Sequence, residues 1–146
     1  MKKIKFLDLY KSYKNLNTPI LNLFKKHIKN NEFVFGNSVL NFERNFSKYV
    51  GVKHCIAVAH GTDALEIALE SLNLKNGEII IPTNTWISGA EAILRNNLKP
   101  VFCDINLDDY TICAKDLEKK INKKTKAIVP VHWSGRICNM IIILKN

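Results

Sequence analysis

A glycine followed by a threonine separates a predicted strand from a predicted helix, and this arrangement suits a phosphate. Residues 59–65 read AHGTDAL. Gly61 lets the backbone turn tightly and approach a ligand, and the N–H groups that follow point out of the positive end of the helix. Thr62 adds a hydroxyl, which either caps the helix or donates to a phosphate oxygen. The pattern is neither a P-loop nor a dinucleotide fingerprint, since the additional glycines and lysine of those motifs are absent.

A tryptophan follows the next predicted strand, at the edge where open α/β sheets bind ligands. Trp86 lies in the stretch PTNTWIS of residues 82–88. Its indole either presents a face to a flat ring or fills a gap in the core, as large aromatic residues often do. Together with a phosphate cradle on the same edge, Trp86 indicates a phosphorylated aromatic cofactor.

Two polar residues after the last predicted strand each allow two interpretations. His132 either contacts a ligand or is a structural residue with its hydrogen bonds satisfied, and Arg136 is either a surface cation or an anion contact. A zinc site built from His132 and Cys138 is disfavoured, because their spacing matches no standard ligand pattern. No metal site is predicted.

From residue 54 onward, short apolar runs alternate with amphipathic segments, which predicts strands alternating with helices. Strands are predicted at 54–59, 78–82, 100–104 and 127–132, and helices at 62–72, 85–95 and 114–121. Near-continuous apolar strands joined by helices are typical of a mostly parallel sheet with helices on both faces. The predicted fold class is therefore α/β, with right-handed crossovers.

The preceding part of the chain lacks this alternation and is predicted to form packing helices. Residues 6–9 are predicted as a short strand or an extended arm. Thr18 is expected to cap one helix, and a second helix is expected to open at Ser38 and to stop at Gly51. The predicted division is 1–53 as arm and packing helices, and 54–146 as a partial α/β domain.

The composition favours a folded protein over a disordered one. Of 146 residues, 47% are hydrophobic and 24% are charged, which supports a packed core. The net charge of +9 comes from lysines that are scattered rather than arranged in a stripe with aromatic residues. Because net charge alone reports solubility rather than a partner, we expect no nucleic-acid binding.

Location is predicted from what the chain lacks and from its cysteines. No targeting signal is visible at the amino terminus, and no segment approaches the ~20 apolar residues that a membrane helix needs. Cys55, Cys103, Cys113 and Cys138 contain no C-x-x-C pair and fit small buried residues in a reducing compartment. The protein is expected to be soluble and cytoplasmic.

Several of these segments, in their order and spacing, resemble the DegT/DnrJ/EryC1/StrS aminotransferases. They are residues 61–65 (GTDAL), 82–86 (PTNTW), 100–105 (PVFCDI) and 124–132 (KTKAIVPVH), together with 6–9 and 42–43. The resemblance implies the type I fold of pyridoxal-phosphate (PLP) enzymes, here as an incomplete large domain. It also implies an aminotransferase that acts on a nucleotide-linked keto sugar for surface polysaccharide, with glutamate as amino donor and an active site shared across a homodimer.

The resemblance assigns roles to six residues. The implied cofactor-binding residues are Gly61, Thr62, Asp63 and Trp86, and the implied substrate-binding residues are Phe35 and Gly36. Backbone N–H groups of Thr62 and Asp63 would hold the phosphate, and Trp86 would stack on the pyridine ring. His60 departs from the small or amide residue usual at its position in the family.

The resemblance also implies that two essential groups come later in the family than this chain reaches. These are the Schiff-base lysine and the acid that protonates the pyridine nitrogen. We therefore expect a truncated, inactive fragment with no catalytic residue, which binds PLP poorly and exposes a sheet edge and apolar faces. Two alternatives stay open: a sugar dehydratase of the same family, and a non-catalytic remnant or interaction module.

Overall fold

The computed structural model describes residues 4–145, and the chain divides into two compact units. The first runs from Met1 to Ala57 and the second from Val58 to Asn146. Among the described residues, no helix is both long enough and apolar enough to cross a membrane.

The first unit is helical. Its helices are α1 (Leu9–Tyr13), a 3-10 turn (Lys14–Leu16), α2 (Asn17–Asn30) and α3 (Asn37–Val50). Residues 6–8 lie outside helices and strands, and Leu9 already begins α1, so the short strand considered for 6–9 is not formed. The Asp8 side chain caps α1 by accepting a hydrogen bond from the Lys11 N–H at 3.3 Å.

The two predicted packing helices are present, but the first starts without the expected cap. Thr18 lies inside α2, whose N-cap is Leu16. Leu16 is itself in helical geometry because it ends the 3-10 turn. The 3-10 turn therefore leads directly into α2, without a capping side chain. The second helix, α3, starts at Asn37, one residue before the predicted Ser38, and ends at Val50, and the φ of 78° at Gly51 supplies the predicted left-handed stop.

The strand predicted at 54–59 is wrong. Among the described residues, these six form no ladder with a strand, and the backbone N–H of Ala57 donates instead to the Glu43 carboxylate at 2.8 Å. Ile56 is 77% exposed. An apolar run forms a strand only where a neighbour supplies hydrogen-bond partners, and the described chain places no neighbour there.

The second unit is built on a three-stranded parallel sheet, which confirms the predicted fold class. The strands are β1 (Glu78–Pro82), β2 (Lys99–Cys103) and β3 (Thr125–Ile128), in the spatial order β2-β1-β3. In register, Ile80 lies opposite Val101 on one side and opposite Ile128 on the other. The β1–β3 ladder is irregular at its start, where Glu78 pairs with Thr125 but Ile79 pairs with Ala127.

The helices of this unit are α4 (Gly61–Ser71), α5 (Ser88–Arg95), α6 (Ala114–Lys120) and α7 (Met140–Ile143). The α5 helix starts three residues later than predicted. Before it, the Thr83 N–H still donates to the carbonyl of Cys103, which prolongs the path of β1. The β3 strand ends four residues earlier than predicted. Val129 still donates to the Ile80 carbonyl, but Pro130 has no N–H with which to continue a ladder.

The sheet carries a separate hydrophobic core on each face. Ile79 and Ile81 face the first core, which α4 and α5 complete with Leu69, Ala92 and Ile93. Ile80 faces the second core, to which α6 and α7 contribute Leu117 and Ile143 together with Cys103, Ile112 and Cys138. Successive side chains of a strand point to opposite faces, so the run of three isoleucines serves both cores.

Candidate active site

The amino end of α4 lies where the sequence predicts a phosphate cradle. The helix begins at Gly61, and its N-cap is His60, in extended geometry. His60 Nδ1 accepts a hydrogen bond from the Asp63 N–H at 3.3 Å, and the His60 carbonyl accepts from the Ala64 N–H at 3.1 Å. Thr62 is therefore the second residue of the helix rather than its cap, and the interpretation of Thr62 as a cap is wrong.

Gly61 leaves its helix end open. A Cβ added to Gly61 would meet no heavy atom within 4 Å, and its φ is not in the left-handed region. Neither packing nor backbone geometry requires a glycine at this position. Because the first N–H groups of a helix lack acceptors inside the helix, the backbone here is accessible to an anion at the positive end of the dipole.

Trp86 is on the surface, which overturns the interpretation that it fills a gap in the core. Its side chain is 78% exposed. The residue lies in the bend between β1 and α5 and lines an apolar groove of about 460 Å³, which it shares with Thr83, Ile87, Leu94 and Phe102. One face of a large aromatic ring is thus available to a ligand.

Topology places these two features toward the same edge of the sheet. The bend that carries Trp86 follows the carboxyl end of β1. The short connection 72–77 joins the end of α4 to the start of β1. The α4 helix packs against the face of the sheet that carries Ile79 and Ile81. Its carboxyl end therefore lies toward the start of β1, and its amino end, with Gly61, toward the edge where β1 ends. In parallel α/β sheets, this edge is where ligands bind.

Side-chain contacts between α4 and α5 hold this part of the unit together. Arg95 Nη1 lies 3.4 Å from a carboxylate oxygen of Glu66, and the Asn96 side chain donates to the Glu66 carbonyl at 3.1 Å. Both contacts join the middle of α4 to the carboxyl end of α5. These contacts link two helices whose amino ends lie at the candidate site.

Phe35 and Gly36, the two predicted substrate residues, belong to the first unit. Both have positive φ, 55° for Phe35 and 115° for Gly36, where the chain turns from α2 into α3. The Phe35 side chain is 80% exposed. The ring is therefore available to a ligand.

His132 and Arg136, for each of which the sequence allows two interpretations, both make structural contacts. His132 Nδ1 accepts a hydrogen bond from the Cys138 N–H at 3.2 Å. Arg136 donates to the carbonyl of Asp108 at 3.3 Å. Within residues 4–145, no group of three or more His, Cys, Asp or Glu side chains is placed to hold a metal ion.

The thiol at the end of β2 is held in its protonated form by its surroundings. Burial, helped by the neighbouring Asp116 carboxylate, raises the pKa of Cys103 to about 12. Asp116 accepts a hydrogen bond from the Asp104 N–H at 2.8 Å, and this bond holds the pKa of Asp116 below its usual value. The thiol therefore stays protonated near neutral pH, and thiolate is the reactive form.

His60, which departs from the family's usual residue, caps α4, and its residue type does not indicate this role. Ser, Thr, Asp and Asn are the preferred N-caps, so the sequence draws attention to Thr62. The usable signal is the position of His60, immediately before Gly61 and three residues before Asp63. In the structure, both ring nitrogens lie near Asp63, with His60 Nε2 at 3.5 Å from Asp63 Oδ1.

Sequence comparison identifies known proteins to which this chain is similar. The family model described as DegT/DnrJ/EryC1/StrS aminotransferase family matches residues 15–145. A dTDP-3-amino-3,6-dideoxy-alpha-D-galactopyranose transaminase of Aneurinibacillus thermoaerophilus is 36% identical over 94% of this chain and 38% of its own length. A UDP-N-acetyl-3-dehydro-alpha-D-glucosamine 3-aminotransferase of Acidithiobacillus ferrooxidans is 36% identical over 94% of this chain and 37% of its own length.

Solved structures agree with this similarity. DesV of S. venezuelae, in complex with a ketimine intermediate, superposes with a TM-score of 0.92 at 27% identity, over 99% of this chain and 39% of that one. NtdA of Bacillus subtilis with bound PMP gives a TM-score of 0.92 at 30% identity, over 99% of this chain and 34% of that one. The chain thus spans well under half the length of these relatives. On the match over residues 15–145, the chain belongs to the DegT/DnrJ/EryC1/StrS aminotransferase family.

Proposed function

We propose that this chain supplies the phosphate-binding and ring-stacking part of a PLP-dependent aminotransferase that acts on a nucleotide-linked keto sugar. The observation that carries the proposal is the exposed indole of Trp86 on the sheet edge toward which the open end of α4 points. The two relatives support it, since they are transaminases of dTDP- and UDP-linked sugars.

The residues present fit the cofactor. A phosphate would approach Gly61, where no side chain intervenes, and would accept hydrogen bonds from the first N–H groups of α4. The Asp63 N–H is already engaged by His60, so Gly61 and Thr62 are the better donors. Trp86 would cover one face of the pyridine ring. When bound, PLP or its amine form (PMP) supplies the electron sink that amino-group transfer requires.

The substrate side of the proposal rests on the first unit and on the family. Phe35 and Gly36 would contact the nucleotide-linked sugar through their exposed turn. We propose glutamate as amino donor and a homodimer as the working assembly. A cytoplasmic location fits the four cysteines, all of which are free thiols.

Binding is best tested with PMP, because PLP would react with the many exposed lysines. The chain has two tryptophans, Trp86 and Trp133, so a Trp133→Phe background leaves Trp86 as the only indole. We expect PMP to quench the Trp86 fluorescence with a saturable dependence on concentration. The affinity should be weak, since the proposed contacts are a few backbone N–H groups and one indole.

Matched variants separate specific binding from collisional quenching. In the same background, Gly61→Val should weaken the saturable quenching by blocking the approach of the phosphate. Lys124→Ala, at the opposite edge of the sheet, should leave it unchanged. A linear, non-saturating response, or equal affinity in the Gly61→Val variant, would refute the proposed site.

A further inference from the structure

Three polar side chains of the first unit form a hydrogen-bonded chain that the proposed function does not use. His27 Nδ1 lies 2.9 Å from a Glu32 carboxylate oxygen, and His27 Nε2 lies 3.0 Å from Ser38 Oγ. The His27 and Glu32 side chains are 26% and 29% exposed. The three residues come from the end of α2, the turn that follows it and the start of α3.

The order of atoms in this chain is that of an activated serine. An ionised carboxylate only accepts hydrogen bonds, so the contact with Glu32 places the ring proton of His27 on Nδ1. Nε2 is then the acceptor, and it faces the Ser38 hydroxyl. This is the relation of acid, base and nucleophile in serine hydrolases, which is recognised by geometry and not by sequence order.

We propose that Ser38, His27 and Glu32 form an acyl-transfer site that hydrolyses small activated esters. Ser38 Oγ attacks the ester carbonyl carbon, and its proton passes to His27 Nε2. The bond from carbon to the leaving oxygen then breaks, and the leaving group takes that proton from His27. Water next attacks the acyl-serine, gives a proton to His27 and releases the acid, and the proton returns to Ser38.

The surroundings of Ser38 suit this chemistry. It is the second residue of α3, and the first N–H groups of a helix lack intrahelical acceptors. Such N–H groups stabilise the negative charge that develops on the carbonyl oxygen. The rings of Phe33 and Phe35, 67% and 80% exposed, flank the turn and offer an apolar surface. The ligand class is therefore an aryl or short-chain acyl ester.

The same contacts also join the end of α2 to the start of α3, and a purely structural role would need nothing more. The two roles differ in one measurable property. A structural serine is no more reactive than any other surface hydroxyl, whereas a serine activated by His27 reacts covalently with electrophiles. Labelling at Ser38 therefore distinguishes them.

The first test is labelling of the full chain with a fluorophosphonate, followed by peptide mass spectrometry. The Ser38 oxygen would form a bond to phosphorus, and fluoride would leave. We expect the label on Ser38 and expect His27→Ala to slow its formation by about 10²-fold, the lower end for general-base catalysis. Glu32→Gln keeps the size of the side chain and should also slow labelling, because an amide does not hold the ring proton of His27 on Nδ1 as a carboxylate does.

The matched control is Ser71→Ala, which removes another exposed hydroxyl, one that donates to the Ala68 carbonyl at 2.7 Å. It should leave labelling unchanged. The second test is release of nitrophenol from p-nitrophenyl acetate, which should fall in Ser38→Ala but not in Ser71→Ala. Circular dichroism of each variant reports whether it folds. Label spread over several serines, or labelling of Ser38 at the wild-type rate in the folded His27→Ala variant, would overturn the proposal.

Discussion

The His60 imidazole occupies the backbone N–H of Asp63, with Nδ1 accepting the hydrogen bond at 3.3 Å. This single bond caps α4 and also removes one of the N–H groups that the resemblance assigns to the phosphate. Cap and cofactor therefore compete for the same donor. The competition gives opposite effects on stability and on binding when His60 is replaced.

We predict that His60→Ala lowers the free energy of unfolding by up to about 1 kcal/mol, because a capping acceptor is lost. The same change should increase the affinity for PMP, because the Asp63 N–H becomes available. Urea unfolding and Trp86 fluorescence measure the two effects. His60→Ser is the control, since serine restores a cap and should bring stability back while keeping affinity below that of His60→Ala. Loss of both properties in His60→Ala would show that His60 contacts the cofactor itself.

Two glycines allow a matched comparison of packing and function. Gly61→Ala should raise stability by roughly 0.4–1 kcal/mol, because the site has room and the unfolded chain loses freedom. It should nevertheless weaken PMP binding. Gly89→Ala would place a Cβ 2.5 Å from Ile81 Cδ1 in the first core, and overpacking of this kind costs about 1–3 kcal/mol. Thermal unfolding of both variants checks the signs, and a destabilised Gly61→Ala would contradict the open geometry.

Two isoleucines that look alike in the sequence should respond differently to truncation. Ile80 is fully buried in the second core, and Ile80→Ala should cost about 2–5 kcal/mol. Ile56 is 77% exposed, and Ile56→Ala should stay within about 0.5 kcal/mol. Denaturant unfolding of the chain measures both. Equal costs would mean that residues 54–59 are paired as a strand in solution.

Cys103 should resist thiol reagents until the protein unfolds. Burial raises its pKa to about 12, so almost no thiolate is present near pH 8. Cys55 and Cys113 are partly exposed and should react with a disulfide reagent before Cys103 under native conditions. Peptide mapping of the labelled protein identifies the order of reaction. Early labelling of Cys103 in folded protein would contradict its burial.

The same thiol makes stability depend on alkaline pH. Because the folded state holds the Cys103 proton more tightly than the unfolded chain does, the stabilisation is complete below the ordinary thiol pKa of 9.0. It is lost as the pH rises from there toward about 12. Cys103→Ala should therefore flatten the decline of stability over this range. If the decline in stability is unchanged in Cys103→Ala, the titration of other groups causes it.

The sequence predicts the strands of the second unit well where burial is two-sided. The strand at 78–82 has the predicted bounds, because a short apolar run between Gly77 and Pro82 favours a strand that is buried on both faces. Apolar character at 54–59 is equally clear, but it reports a preference for burial and not the presence of a neighbouring strand. Pairing is a long-range property, and no local pattern contains it.

The candidate site shows the same limit. The turn at Gly61 follows from a strand-to-helix change, and the position of Trp86 follows from the end of β1. The exposure of the indole and the capping by His60 depend on the path of the backbone between 83 and 87 and on one side-chain rotamer. Neither is encoded by residue type alone, since both depend on the three-dimensional path of the chain.

The run Ile79, Ile80 and Ile81 places one short strand in both cores. Loss of β1 would remove buried residues from both cores at once. The helices on one face of the sheet therefore cannot unfold while the helices on the other face stay folded. The second unit should therefore unfold as a single cooperative event. Amide protons in α4 and in α6 would then exchange with solvent through the same global opening, even though no side chain of one helix needs to contact the other.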